Sequence, residues 1–327
     1  MEKDRVTWID DVRGLCVFCV LLAHSGIPHP YLYKLYTPFF LTTFFFISGF
    51  LYKNTNFKDD LLKIFRHLFL PYLWLNVILI IVGIDNWNAI FHGNYNYVLS
   101  KIRDTVLGYN MWFIPCIIMV QLYVTILYHI FMKTFIRKFW VAICLLSTVF
   151  FIKNENGFFL PWYADTALFS SGFFLLGNIV KMRIGFSNWF PDFKLNKWFS
   201  LGILMSYMGI AYLMQNVCKM EFHYAYNYYD NPLCFILLAL MSIFTICVFF
   251  QINHFRLFNI CGKNSLAFFA FNGKAKALAL IILPNVLYVE NHITALLLSL
   301  IETLILICIS FFINKYCPFI IGKYKIK

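Results

Sequence analysis

The sequence predicts an all-α bundle of about ten transmembrane helices, a single domain over residues 1–327 with both termini on the cytoplasmic side. Three observations predict it. Hydrophobic residues make up 61% of the chain and charged residues only 13%, against about 25% charged in an ordinary globular domain. Runs with almost no charge recur along the whole chain, each long enough to cross a hydrocarbon layer of roughly 30 Å as a helix. Finally, the lysines and arginines are shared very unevenly between alternate loops.

Hydropathy windows place spans over residues 8–25, 36–52, 68–84, 111–132, 139–152, 158–180, 198–217, 232–252, 265–283 and 293–313. With the N-terminus cytoplasmic, nineteen of the 27 Lys and Arg residues fall on the cytoplasmic side and five on the other, Lys34, Lys101, Arg103, Lys153 and Lys219. Arg13, Lys274 and Lys276 fall inside spans. Basic residues gather on the cytoplasmic side of membrane proteins, so this asymmetry fixes the orientation. The net charge of +12 therefore reads as topology in a lipid bilayer and not as a nucleic-acid surface.

Residues 1–11 are polar, with no apolar stretch leading to a small-residue cleavage site, so the first span is expected to act as its own insertion signal. The expected location is the plasma (inner) membrane. Trp8, Tyr31, Tyr33, Tyr36, Trp140, Trp162 and Trp198 lie at span ends, where aromatic rings favour the headgroup zone. The ten cysteines sit mostly in apolar runs without close histidines, so they read as small buried hydrophobes and no metal site is expected.

An ionisable group inside a span costs a few kcal/mol or more, so those retained there carry information. They are Asp10, Asp11, Arg13 and His24 in the first span, Asp165 in the sixth, Lys274 and Lys276 in the ninth, and Glu302 in the tenth. Arg13 and His24 are eleven positions apart, three helical turns plus roughly 20°, so they leave one face about 16 Å apart and are expected to line one groove. Arg13 has two readings, an interfacial cation paired with Asp10 or a ligand-binding group. His24 also has two, a hydrogen-bonded structural residue or a general base titrating near neutrality.

Ser48 either faces that groove or, with Gly49, lets two helix backbones approach closely. Lys63 and Arg66 share a helical face before Pro71, which suits a phosphate-bearing ligand, although topology alone also places cations there. Trp112 either stacks on a sugar or anchors its helix. Asp165 either accepts hydrogen bonds from hydroxyls or caps a helix, and Glu302 is expected to pair with Lys274 or Lys276.

The run Trp8, Ile9, Asp10, Asp11, Val12, Arg13, Gly14, Leu15, followed by His24, resembles the opening signature of the membrane acyltransferase 3 family. Further landmarks follow in family order: Phe45 to Phe50, the basic segment before Pro71, Trp112 with Phe113, Asp165 to Ala167, and Gly262 to Leu266. The branch most resembled is the fucose 4-O-acetylase-like one.

The resemblance implies an O-acetyltransferase that takes an acetyl (acyl) group from cytoplasmic acetyl-CoA and delivers it to a hydroxyl of a surface or lipid-linked carbohydrate, with no metal. It implies His24 as general base, Arg13 beside it in catalysis, and Arg13, Lys63 and Arg66 on the CoA phosphates. Ser48, Trp112, Asp165 and Asp10 are the implied contacts for acceptor or thioester. Two residues depart from the family pattern: Asn272 stands where many relatives carry a histidine, and Lys63 where an arginine is common. The rival reading is a transporter or flippase moving a polar solute or lipid-linked sugar past the same intramembrane charges.

Overall fold

In hydrocarbon every backbone polar group must find its partner within the protein, so apolar runs fold as helices. The computed structural model describes residues 6–132, 134–152, 160–185, 196–284 and 291–323, and there each expected span coincides with a helix. Lys3, Arg5, Lys133, Lys153, Lys194, Lys325 and Lys327, which enter the charge count, lie outside the described residues, as does the start of the sixth expected span.

The helices, in chain order, are α1 (Thr7–Ala23), α2 (Pro30–Tyr36), α3 (Phe40–Leu51), α4 (Phe57–Ile64), α5 (Leu70–Val82), α6 (Ile84–Phe91), α7 (Tyr95–Val106), α8 (Phe113–Ile130) and α9 (Phe135–Ser147). They continue with α10 (Ala164–Ile184), α11 (Lys197–Tyr212), α12 (Pro232–Ile252), α13 (Arg256–Lys263), α14 (Ser265–Ile282) and α15 (His292–Tyr316). A short hairpin pairs Phe222 with Tyr229 and His223 with Tyr228. Among the described residues seven helical stretches are long and apolar enough to cross a membrane: Pro30–Leu51, Phe57–Val82, Phe113–Ile130, Pro161–Ile184, Pro232–Ile252, Ser265–Ile282 and His292–Tyr316. The protein is therefore an all-α, multi-pass membrane protein.

One boundary differs notably from expectation. The third span was expected from residue 68, yet its helix begins at Phe57 and runs through a five-residue π turn, Phe65–Phe69, into α5. The segment Phe57–Ile64 carries Lys58, Asp59, Asp60 and Lys63, so a hydropathy window ignores it although it is helical.

Two glycine pairs set the closest helix contacts. A Cβ on Gly14 would lie 1.8 Å from the Phe258 carbonyl oxygen, and one on Gly262 would lie 1.9 Å from that of Asp10, so α1 and α13 meet backbone to backbone. On α3 and α10, Gly49 faces Phe174 and Gly177 faces Phe46 at 1.8 and 1.9 Å in the same sense. The small Ser48–Gly49 pair does serve close packing.

Asp11, 0% exposed, completes the first contact: the His254 Nδ1 lies 2.6 Å from one carboxylate oxygen, and the Asn259 amide donates to the other at 3.0 Å. A buried carboxylate is tolerable only with such partners, and here they tie α13 to the start of α1. Gly262→Ala is expected to destabilise the protein by at least about 1–3 kcal/mol through forced overpacking, read as a lowered Tm in detergent. Alanine at the open Gly209, where an added Cβ meets nothing within 4 Å, is the control expected to leave Tm unchanged.

Candidate active site

His24 ends α1. Its own carbonyl, one of the last that a helix leaves without an internal partner, accepts a hydrogen bond from Lys276 Nζ on α14 at 2.9 Å. A lysine there also complements the negative end of the helix dipole. The backbone of His24 is thus tied down, while among the described residues no side chain hydrogen-bonds its imidazole. The ring lines a cavity of about 640 Å³ with Tyr33, Tyr109, Trp112, Tyr163, His223, Tyr226, Asn272, Lys276 and Glu302. Aromatic faces beside a few polar groups form the kind of wall that holds a sugar ring.

Arg13 opens on a different space. Its Nη2 donates to Ser265 Oγ, at the first residue of α14, at 2.7 Å, and its guanidinium carbon lies 5.4 Å from the centre of the Phe44 ring. The second cavity, of about 300 Å³, is lined by Arg13, Ser48, His67, Gln121, Lys263 and Lys323 among others, and none of its described lining residues is a carboxylate. Ser48 spends its hydroxyl on the Phe44 carbonyl at 2.8 Å.

The single groove expected along α1 is therefore two cavities. Phe113 and Phe269 line both, stacked with ring centres 4.5 Å apart, and Phe44 meets their rings edge-on at 5.0 and 5.4 Å. Rings from α3, α8 and α14 lie between the two cavities.

Of the other expected site residues, Trp112 lines the His24 cavity and Ser48 the Arg13 cavity. Lys63 lines neither: its Nζ pairs with Asp60 at 3.1 Å and donates to Thr55 Oγ1 at 2.7 Å. Asp60 is 1% exposed and takes up the cation three residues on, as an (i, i+3) pair does on a helix. Arg66 is exposed and also lines neither cavity. Asp10 is buried at the α1–α13 contact, away from both.

Asp165 is buried at the start of α10 and does not reach the cavity wall. It accepts from the Asn227 amide at 3.1 Å, and that amide also donates to Thr166 Oγ1 at 2.9 Å. Asn227 holds a left-handed backbone, φ 50°, closing the turn whose Tyr224, Ala225 and Tyr226 form part of the His24 cavity. Asp165 therefore shapes the cavity at one remove. Glu302 pairs with neither expected lysine.

Sequence reasoning missed His67, Lys263 and Lys323 as cavity residues. Lys263 belongs to the Gly262–Leu266 landmark, so its signal was visible. The other two come together through folding alone, since His67 Nδ1 donates to the Gly322 carbonyl at 2.9 Å and brings the C-terminal turn against the π turn of the third span.

The family model described as an acyltransferase domain matches residues 6–316, nearly the whole chain. The chain belongs to the acyltransferase 3 family. Comparison with curated proteins and with solved structures returned no match. As an acyltransferase 3 member the protein is a multi-pass membrane acyltransferase, which favours acyl transfer over solute transport for the two cavities.

Asp165→Ala leaves the Asn227 amide without its buried carboxylate, a loss of about 1–3 kcal/mol, and is expected to lower Tm in detergent. An unchanged Tm would free Asp165 from this structural duty.

Proposed function

We propose that the protein transfers an acetyl group from cytoplasmic acetyl-CoA, bound at the Arg13 cavity, to a hydroxyl of a surface or lipid-linked carbohydrate bound at the His24 cavity. The observation that carries this reading is the back-to-back arrangement of the two cavities along α1. One is lined by cations without a carboxylate, the other by aromatic rings around an imidazole with no hydrogen-bond partner among the described residues. In this proposal α1, α9 and α11 join the seven apolar helices as membrane spans, giving ten, with both termini cytoplasmic and the protein in the plasma (inner) membrane. The acceptor belongs to the surface glycans that the likeness to the fucose 4-O-acetylase-like branch suggests.

The cation set fits the donor. CoA carries several phosphates, and charge-assisted hydrogen bonds to phosphate are among the strongest a side chain makes. Arg13, Lys263 and Lys323 are assigned to them, in place of Lys63, which is engaged by Asp60, and of the exposed Arg66. Lys263 and Lys323 act as point charges, while Arg13 offers a planar fork, one arm of which is held by Ser265.

At the other cavity His24 takes the proton of the acceptor hydroxyl as its oxygen attacks the thioester carbonyl carbon. A C–O bond forms, the C–S bond breaks, and the departing thiolate receives that proton from the imidazolium, so the products are the acetyl ester and CoA thiol. A positioned general base is worth about 10²–10⁴-fold in rate. For the thioester to meet His24, the pantetheine arm passes the rings of Phe44, Phe113 and Phe269, which open around it.

The test is transfer of label from radiolabelled acetyl-CoA into glycan by membranes carrying matched amounts of native or variant protein. His24→Ala is expected to lose at least about 100-fold. Lys263→Ala and Lys323→Ala are each expected to raise the KM for acetyl-CoA about tenfold, the value of one charge-assisted contact, and Lys63→Ala to leave it unchanged. Equal transfer by native protein and His24→Ala contradicts the assignment of the base, and a KM that moves only with Lys63 contradicts that of the donor cavity.

A further inference from the structure

Glu302 stands in the middle of α15 and is 1% exposed. A carboxylate at that depth is costly unless something compensates it, which marks an intramembrane acid as functional by default. The expected ion pair is absent among the described residues. Lys276, the cation that acts on it electrostatically, gives its hydrogen bond to the His24 carbonyl at 2.9 Å, and no lysine reaches Glu302 within ion-pair distance among the described residues. Its Oε1 is buried with no hydrogen-bond partner among them. Yet Glu302 is part of the wall of the His24 cavity, with Asn272 and Lys276.

We infer that Glu302 is an acceptor-binding residue: its carboxylate receives hydrogen bonds from hydroxyls of the sugar beside the one that His24 deprotonates. This rests on the acyl-transfer reading and names the acceptor's chemistry, a neutral, hydroxyl-rich sugar. An ionised carboxylate accepts only, with about four lone-pair sites on two oxygens, and so holds two neighbouring hydroxyls at once. Each such bond is charge-assisted and roughly twice as strong as a neutral one.

The cavity, about 640 Å³, lies in the range that accommodates a sugar unit. Lys276 supplies a nearby positive charge that partly offsets the carboxylate, while one of its ammonium hydrogens goes to the end of α1 and no ion pair with Glu302 forms. A uronic acid or other anionic sugar would set a second carboxylate beside Glu302 in a water-poor site, and like-charge contact of that kind discriminates strongly against the wrong ligand.

The experiment uses the purified full-length protein in detergent, with acetyl-CoA and two acceptor series, methyl glycosides of neutral hexoses and deoxyhexoses and methyl uronides, reading release of free CoA. The native protein is expected to release CoA with at least one neutral glycoside and not with uronides. Glu302→Gln keeps the shape and loses the charge. It is expected to raise the neutral-acceptor KM about tenfold, the value of one charge-assisted bond, with the acetyl-CoA KM unchanged and with uronides gaining relative to the neutral series.

Glu302→Asp, which keeps the charge one methylene further back, is expected to raise the acceptor KM while still excluding uronides, and stands in should the glutamine variant fail to fold. An acceptor KM unchanged in both variants overturns the inference, as does a loss confined to kcat, which would make Glu302 a partner of His24 and not of the sugar. If native protein releases CoA with no acceptor, acyl transfer itself falls. If native protein works and the variants match it, only the role of Glu302 falls.

Discussion

The structure depends on the backbone contact between α1 and α13. With Gly14 and Gly262 facing main-chain oxygens of the opposite helix at distances no Cβ tolerates, α1 can neither rotate nor slide without a collision, and the Asp11 carboxylate with His254 and Asn259 locks its N-terminal end. Interiors packed this tightly behave as fixed and not as fluid. The rotation of α1 decides where Arg13 and His24 point. Arg13 is then delivered to Ser265 at the start of α14, and the last carbonyl of α1 to Lys276 further along that same helix. The single helix α14 thereby holds Arg13 by its side chain and His24 by its carbonyl.

Between those ends the rings of Phe44, Phe113 and Phe269 pack against one another. In the proposed reaction a thioester held in a water-filled passage would be open to hydrolysis, and the stacked rings that part the two cavities would keep water from it. Arg13 sits at the junction, facing the cationic cavity and lying over the Phe44 ring at once. The chemistry assigned to each side follows from its wall: phosphates where cations gather without acids, a sugar where aromatic faces surround an imidazole and a carboxylate.

Much of this was legible in the sequence. Each apolar run is a helix because a lipid solvent leaves the backbone no alternative, and Arg13 and His24, singled out as ionisable groups in the first span, each line a cavity. Lys63 and Arg66 were read on one helical face, but the continuity of that helix from Phe57 into the third span escaped because a hydropathy window passes over its charged, amphipathic turns. The engagement of Lys63 was not legible for a local reason: Asp60, three residues before it, was in view, but only its burial shows that it pairs with the cation. His67, Lys323 and the dividing rings escaped for a different one, since they meet through contacts across the fold that no spacing encodes. Glu302 was noticed as an acid out of place and given the wrong partner, because a sequence shows which charges are buried but not which neighbours are already engaged.

The most direct measurement is sidedness of transfer in sealed membrane vesicles of known orientation, with labelled acetyl-CoA confined to the side of Lys263 and Lys323 and a glycan acceptor confined to the other. The account predicts labelled glycan on the far side, and none when acetyl-CoA is supplied only from the acceptor side. Label appearing only when donor and acceptor share one side would contradict it, because the two cavities would then not be the two ends of one transfer path.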